Sequence, residues 1–158
     1  MIDKKIIDKL VQILGKDNVL TSKAERICYS YDATQQSFLP EVVLQPGSAE
    51  EIALIMKLAN RELLPVSPRG AGSGFTGGSL PTKGGIVLCT ERMDQILEID
   101  EDNLVATVEP GVVTERFQKA VEKVGLFYPP DPASLKFSTL GGNVAECAGG
   151  PRCVRFDR

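Results

Sequence analysis

A run of glycines in the first half of the chain has the composition of an anion-binding loop. From Pro68 to Gly78 the sequence reads Pro-Arg-Gly-Ala-Gly-Ser-Gly-Phe-Thr-Gly-Gly. Such a cluster usually marks positive φ or a close approach of main chain to a ligand, because glycine tolerates both. Successive N–H groups in a turn of this kind converge and suit phosphate oxygens. A flexible loop without a ligand is the alternative, but the apolar segments 63–66 and 86–88 on either side favour a phosphate-binding loop.

Two familiar phosphate-binding signatures do not fit this run. A P-loop requires Gly-Lys-Ser/Thr, and the nearby Lys83 is followed by Gly84. The dinucleotide pattern G-x-G-x-x-G occurs at 72–77, but residues 78–85 have the composition of a loop, where that motif requires a helix. A Rossmann nicotinamide site is therefore not predicted.

Composition excludes several classes of function. The 158 residues carry a net charge of −3, so neither nucleic acid nor an anionic membrane surface is an expected partner. No apolar run has the length of a transmembrane segment, and charges at residues 3–5 interrupt any signal-peptide core. We expect a cytoplasmic protein, either free or attached peripherally to a membrane through a partner.

The chain lacks the usual catalytic and metal-binding residues. It has no histidine, and Cys28, Cys89, Cys147 and Cys153 show no C-x-x-C spacing, so no metal site is predicted. The cysteines are expected to be reduced and mostly buried. The acidic cluster of Glu98, Asp100, Glu101 and Asp102 fits a hairpin turn better than a metal site. We assign no catalytic residue, and any redox chemistry would need a cofactor.

Hydrophobic periodicity predicts a βαβ unit that leads into the glycine loop. A helix is expected from Ile2 to Leu14, ending at Gly15. Capping boxes at Ser22/Glu25 and Ser48/Glu51 predict two more helices. The second of these has the apolar face Ile52, Ile55, Met56 and Ala59 and lies between strands at 42–44 and 64–66. Tyr29 and Tyr31 are interpreted as packing residues.

The second half of the chain predicts strands, a helix and a rigid loop. Strands are expected at 86–88, 96–99 and 104–108, the last two as a hairpin, followed by a helix capped by Thr114. Prolines make 128–134 an irregular loop. Residues 138–150 form a second segment rich in small residues, and a short helix is expected to start at Thr139. Either a ligand lying on the backbone or close helix packing explains this composition.

The glycine loop, Glu109-Pro110-Gly111-Val112 and residues 138–150, in this order, resemble the FAD-binding domain of the vanillyl-alcohol-oxidase and p-cresol-methylhydroxylase flavoproteins. Within that family the chain is most similar to the flavin subunits of the glycolate-oxidase type and to FAD-linked D-lactate and D-2-hydroxyglutarate dehydrogenases. The resemblance extends from the region of Tyr31 to Cys153. It implies an α+β fold of the p-cresol-methylhydroxylase type, with an N-terminal helical segment at 1–35 and the FAD-binding domain at 36–158.

The resemblance also implies residues that bind the cofactor. The glycine loop would hold the FAD diphosphate, with Ser73 and Thr76 as hydroxyl donors. Residues 109–112 would lie near adenine and ribose, and residues 130–132 and 138–150 would follow the flavin and its ribityl chain. The implied residues are Pro68, Arg69, Gly70, Ala71, Gly72, Ser73, Gly74, Thr76, Gly77, Gly78, Glu109, Pro110, Gly111, Val112, Pro130, Asp131, Ser138, Thr139, Gly141, Gly142, Asn143, Ala148 and Gly149.

Three of these residues also have a plain structural explanation. Arg69 is equally explained as a solvated surface cation, Asp131 as a cap of its proline-rich turn, and Asn143 as a helix-start residue.

By the same resemblance, the parent enzyme would oxidise a small 2-hydroxy acid such as glycolate or D-lactate by hydride transfer to non-covalently bound FAD. Electrons would pass to an iron–sulfur or second flavin subunit, or to a carrier. The alternative is a non-catalytic nucleotide-binding or interaction module with the same fold. Because Phe156 is followed by Asp157 where the family continues with an aromatic-glycine pair, we expect a chain truncated before the second FAD subdomain and inactive on its own.

Overall fold

The computed structural model describes residues 2–152, so the sequence features at Cys153 and Phe156–Arg158 lie outside the described residues. Two compact units divide the chain, one up to Arg92 and the other from Met93 onward. The boundary placed at residue 35 stays a prediction. Among the described residues, no helix is long and apolar enough to cross a bilayer.

The first unit is a four-stranded sheet with helices. Its elements are α1 (Lys4–Leu14), β1 (Val19–Leu20), α2 (Lys23–Cys28), β2 (Val42–Leu44), α3 (Ala49–Arg61), β3 (Val66–Arg69) and β4 (Ile86–Cys89). The strand order is β1-β2-β4-β3. The strands β2 and β3 both run parallel to β4, which lies between them, and β1 is antiparallel to β2. The predicted βαβ unit is thus confirmed, with one strand inserted at its centre.

Local signals placed most of these elements correctly. The α1 helix begins after Asp3 and ends at Gly15, which has φ +79°. The capping box of Ser22 and Glu25 at α2 is confirmed. At α3 the Ser48 hydroxyl accepts from the Glu51 N–H, but the Glu51 carboxylate accepts from the Gly47 N–H instead of completing the box.

Two expectations for this unit, and one for the cysteines of the chain, are wrong. The strand predicted at 64–66 lies at 66–69, so Arg69 belongs to it. On α3, Met56 is exposed, and Leu58 is buried against the sheet instead, because the buried stripe is rotated by one position. Of the described cysteines only Cys89, in the central strand, is buried. Cys28 and Cys147 are exposed, since each lies at the end of a short helix with few buried residues.

The second unit consists of a hairpin and two helices. The hairpin joins β5 (Ile96–Asp100) to β6 (Val105–Val108), and the helices are α4 (Thr114–Glu122) and α5 (Leu140–Ala145). At the hairpin turn the Asp100 carboxylate accepts from the Asn103 N–H at 2.9 Å, as expected of a structural turn. A small core of Val112, Phe117, Val121 and Leu140 holds the unit together. The residue before α4 is Val113, and Thr114 does not cap this helix because its hydroxyl is used elsewhere.

Candidate functional site

The glycine loop begins at the carboxyl end of a parallel strand. Residue Arg69 ends β3, and its carbonyl accepts from the Thr90 N–H, just beyond β4, at 3.0 Å. The ends of β2, β4 and β3 lie at the same edge of the sheet because the three strands are parallel. Ligands of open α/β sheets bind outside this edge. The predicted phosphate loop is therefore where a ligand of this sheet would bind.

The loop has the main-chain geometry of an anion cradle. Gly72 and Gly77 have φ values of +68° and +77°, which side-chain-bearing residues rarely adopt. Within the part of the chain that the structure describes, the N–H groups of Gly70 to Phe75 have no protein acceptor. The Thr76 hydroxyl accepts from the Gly78 N–H at 3.2 Å. A row of N–H donors therefore remains available to a ligand.

Arg69 is buried behind this loop without a counter-ion. Only 6% of the residue is exposed, which excludes its interpretation as a surface cation. Its Nη1 is buried and has no hydrogen-bond partner, and no ion pair to it occurs within residues 2–152. A Cβ atom at Gly72 would overlap the Arg69 guanidinium, so this group lies directly against the loop. Burying a cation without an ion-pair partner costs roughly several kcal/mol of folding free energy, and a bound anion would offset this cost.

Tyr29 lies next to Arg69, and Gln45 and Glu91 hydrogen-bond to Tyr29 at the same edge of the sheet. The Arg69 Cζ lies 5.9 Å from the centre of the Tyr29 ring. The Tyr29 hydroxyl donates to the Glu91 carboxylate at 2.7 Å and accepts from Gln45 Nε2 at 2.9 Å. Burial, and then the hydrogen bond to Glu91, raise the pKa of Tyr29, so its hydroxyl stays protonated. Sequence reasoning missed this role of Tyr29, although Gln45, a polar residue directly after a buried strand, was a usable signal.

The thiol of Cys89 lies at the carboxyl end of the central strand. Burial raises the pKa of Cys89 to about 11, although the Arg69 charge acts in the opposite direction. The thiol is therefore protonated at neutral pH and is a poor nucleophile. It packs as a small apolar group with Val43 and Val87.

In the second unit, residues 109–112 form a tight structural turn. The Glu109 carboxylate accepts from the Gln95 N–H at 2.8 Å. The Gly111 N–H donates to the Met93 carbonyl at 2.7 Å. Val112 is fully buried, and its carbonyl accepts from the Leu140 N–H. These contacts account for Glu109, Gly111 and Val112 without a ligand.

The polar side chains of the second small-residue segment hydrogen-bond within the protein. The Thr114 hydroxyl contacts the Ser138 carbonyl and the Ser138 hydroxyl, each at 2.9 Å. Asn143 Nδ2 donates to the Thr114 hydroxyl at 2.8 Å. The Thr139 hydroxyl accepts from the Gly142 N–H at 3.2 Å and caps α5. The side chains of Ser138, Thr139 and Asn143 are all buried. They form a fully paired network.

The remaining predicted residues of this segment are also accounted for by packing. A Cβ at Gly141 would lie 2.7 Å from the Cβ of Pro110, so the helix approaches the turn closely there. The Asp131 N–H donates to the Gly149 carbonyl at 3.1 Å, and the Asp131 carboxylate pairs with Arg152 at 3.4 Å. The Pro130 carbonyl accepts from Gln118 Nε2, and the Ala148 N–H donates to the Asn143 carbonyl. The cofactor contacts of these residues stay predictions.

Comparison with known proteins identifies the domain. Residues 40–158, more than half of the chain, match the family model described as an FAD binding domain. The chain belongs to this family. It is 48% identical over 157 residues to the glycolate oxidase subunit GlcD of Bacillus subtilis, covering 99% of the chain and 33% of that protein. It is 43% identical over 117 residues to a D-lactate dehydrogenase of Anaerostipes hadrus, covering 74% of the chain and 24% of the relative.

The fold is that of a known group of flavoproteins. The structure superposes on p-cresol methylhydroxylase with a TM-score of 0.77 at 24% identity, covering 89% of the chain and 28% of that structure. The resemblance inferred from sequence and the α+β fold are thus confirmed. The chain spans about a third of the length of the GlcD relative.

FAD is the cofactor of this family, and the first unit fits its diphosphate. Among residues 2–152, Nη1 of the buried Arg69 guanidinium lacks a hydrogen-bond partner and the neighbouring N–H groups lack acceptors, and a side chain at Gly72 would fill the space between them. This donor set suits a doubly charged anion. Among the described residues, no group of three or more His, Cys, Asp or Glu side chains could hold a metal ion.

Proposed function

We propose that the chain binds FAD without a covalent bond, with the diphosphate in the glycine loop, and that it is the FAD-binding part of an enzyme that oxidises a small 2-hydroxy acid. The observation that carries the proposal is the unpaired, buried guanidinium of Arg69 against Gly72. The names of the relatives, glycolate oxidase subunit and D-lactate dehydrogenase, support the substrate class. The non-covalent part of the proposal rests on the lack of histidine in these 158 residues, which offer no side chain for a histidyl link.

The residues of the first unit would orient the cofactor. Bound FAD supplies the hydride acceptor for oxidation of the hydroxyl-bearing carbon. The loop N–H groups would bind the diphosphate oxygens, and Arg69 would neutralise their charge. Further cofactor contacts from Glu109–Val112 and from residues 130–132 and 138–150 belong to the proposal. Their main chain would make these contacts, because the side chains of Glu109, Asp131, Ser138, Thr139 and Asn143 are already paired.

We extend the proposal to the electron acceptor and location. The word subunit in the name of the GlcD relative supports a partner chain, and an iron–sulfur or flavin subunit, or a soluble carrier, would take the electrons. We place the parent protein in the cytoplasm, with any membrane attachment through that partner.

A titration of the 158-residue chain with FAD, followed by quenching of flavin fluorescence, tests the site. We expect saturable binding that is lost in Gly72→Val, because the new side chain displaces the Arg69 guanidinium. The matched control is Gly15→Val, which also replaces a glycine of positive φ but at the end of α1, where the nearest atom to a Cβ is 3.9 Å away. Equal binding by both variants would refute the loop as the site.

The catalytic part of the proposal requires a second measurement. The protein tested is a longer form of this chain, extended to the full length of its relatives and loaded with FAD. Glycolate or D-lactate is added under anaerobic conditions, and the loss of the absorbance of oxidised flavin is recorded. Bleaching with either acid supports the enzyme. Tight FAD binding with no bleaching by any 2-hydroxy acid would favour the non-catalytic binding module.

A further inference from the structure

Among the described residues, the side chain that contacts the Arg69 guanidinium is an aromatic ring and not a carboxylate. At 5.9 Å from the ring centre, the Arg69 guanidinium is within the range of a cation–π contact with Tyr29. A carboxylate partner would neutralise the guanidinium and occupy its N–H donors. A ring attracts the cation through its face and leaves the N–H groups free, consistent with the unpaired Nη1 of Arg69.

The orientation of the Tyr29 ring is fixed by residues from two neighbouring strands. Its hydroxyl donates to Glu91, beyond the end of β4, and accepts from Gln45, directly after β2. Gln45 Nε2 also donates to the same Glu91 carboxylate. Arg69 itself ends β3. The ring is therefore connected to the carboxyl ends of all three parallel strands, at the edge where the glycine loop begins.

The hydrogen bonds of the Tyr29 hydroxyl also affect the electron density of its ring. Burial and the Glu91 carboxylate keep Tyr29 protonated, so its hydroxyl remains a donor to that carboxylate. Donation to an anion enriches the ring in electron density, and this strengthens its attraction for the guanidinium. Tyr31, two residues further along the chain, lacks such an environment, and 53% of it is exposed.

We infer that Tyr29 is a positioning residue that holds the Arg69 guanidinium toward the glycine loop, with its N–H donors free for the diphosphate of the cofactor. This inference rests on the proposed function. Tyr29 acts through Arg69, and Gln45 and Glu91 act through the orientation of Tyr29. The effect of each residue on cofactor binding therefore depends on the presence of Arg69.

A double-mutant cycle on FAD affinity tests this dependence. We expect Tyr29→Leu to weaken FAD binding about three- to thirtyfold, the range of a cation–π contact. Tyr29→Phe, which keeps the ring, should retain most of the affinity, and the control Tyr31→Leu should bind as the unmodified chain does. In an Arg69→Met background, Tyr29→Leu should cause no further loss. Thermal unfolding of each variant without FAD verifies that it is folded.

Two results of the cycle would overturn the inference. One is unchanged affinity in Tyr29→Leu, and the other is an equal loss in the Arg69 and Arg69→Met backgrounds, which would mean that Tyr29 acts through the fold alone. A chain that binds no FAD would contradict the proposed function instead. In that case, thermal stabilisation by inorganic pyrophosphate that disappears in Tyr29→Leu supports the inference, and no stabilisation of the unmodified chain overturns it.

Discussion

The glycine loop at 69–78 and the segment at 138–150 are both rich in small residues, but their polar groups are used in opposite ways. In the loop, the buried Arg69 guanidinium has no hydrogen-bond or ion-pair partner among residues 2–152, and the N–H groups of Gly70 to Phe75 have no acceptor there. In the second segment, the side chains of Ser138, Thr139 and Asn143 are all paired within the protein. Buried polar groups are normally satisfied, so the loop is the region in which a ligand would supply missing partners.

Glycine also has a different task in each region. At Gly72 the absent side chain leaves room beside a charged group and permits a positive φ. At Gly141 it lets α5 approach the rigid main chain of Pro110. Substitutions in the first region should therefore reduce ligand binding, and those in the second should reduce stability.

Replacing Arg69 should have the largest effect on binding. We expect Arg69→Met to weaken FAD affinity roughly tenfold to a hundredfold, the worth of a charged hydrogen bond. The free energy of unfolding without FAD should stay the same or rise, because the change removes a buried unpaired charge. Fluorescence titration and urea unfolding measure the two quantities. A large loss of stability with unchanged affinity would reverse the assignment of the two regions.

Gly141→Ala should lower the free energy of unfolding by about 1–3 kcal/mol, a typical cost of overpacking. The added Cβ would lie 2.7 Å from the Cβ of Pro110 and 3.0 Å from its carbonyl oxygen. Urea unfolding measures the change. The control is Gly142→Ala in the same helix, where the nearest atom is the Thr139 hydroxyl at 3.2 Å. Equal stability of the two variants would show that close packing at Pro110 does not explain Gly141.

Thr114→Val should destabilise the protein by about 1–2 kcal/mol, because it leaves the buried Ser138 hydroxyl and Asn143 amide with one partner fewer. Thr107→Val, at an exposed position of β6, provides the matched control for the loss of a hydroxyl. The quantity compared is the urea midpoint at constant slope. A midpoint equal to that of the control would contradict the importance of the buried network.

The smallest expected effect is the contribution of the Cys89 thiol to the pH dependence of the free energy of unfolding. The pKa of Cys89 rises from 9.0 to about 11 on burial, so the folded state keeps its proton where the unfolded state loses it. This contribution is fully present below pH 9 and is lost as the pH rises toward 11, by about 1 kcal/mol in the first unit of pH. Cys89→Ala should show a shallower decline in unfolding free energy between pH 8 and 10 than the unmodified chain does. Parallel curves for the two proteins would exclude the Cys89 thiol as a cause.

Features governed by neighbouring residues were predictable from the sequence. The end of α1 at Gly15, the capping box of Ser22 and Glu25, and the turn at Asp100 each depend on contacts within a few residues. The ordered set of three motifs was enough to indicate the flavoprotein family. Prediction was less accurate where burial decides, as for Leu58 in place of Met56 on α3.

The sequence by itself determined that the main chain of the glycine loop and of residues 138–150 comes close to another group, from the protein or from a ligand. Only glycine and other small residues permit such a close approach. Only the tertiary structure decided whether the protein itself supplies that group. Thr114 and Pro110 reach the second segment from distant parts of the chain, whereas no residue among 2–152 forms a hydrogen bond or an ion pair with the guanidinium of Arg69. Hydrogen-bond pairing and burial depend on residues far apart in sequence, so composition cannot separate a packed helix from a ligand site.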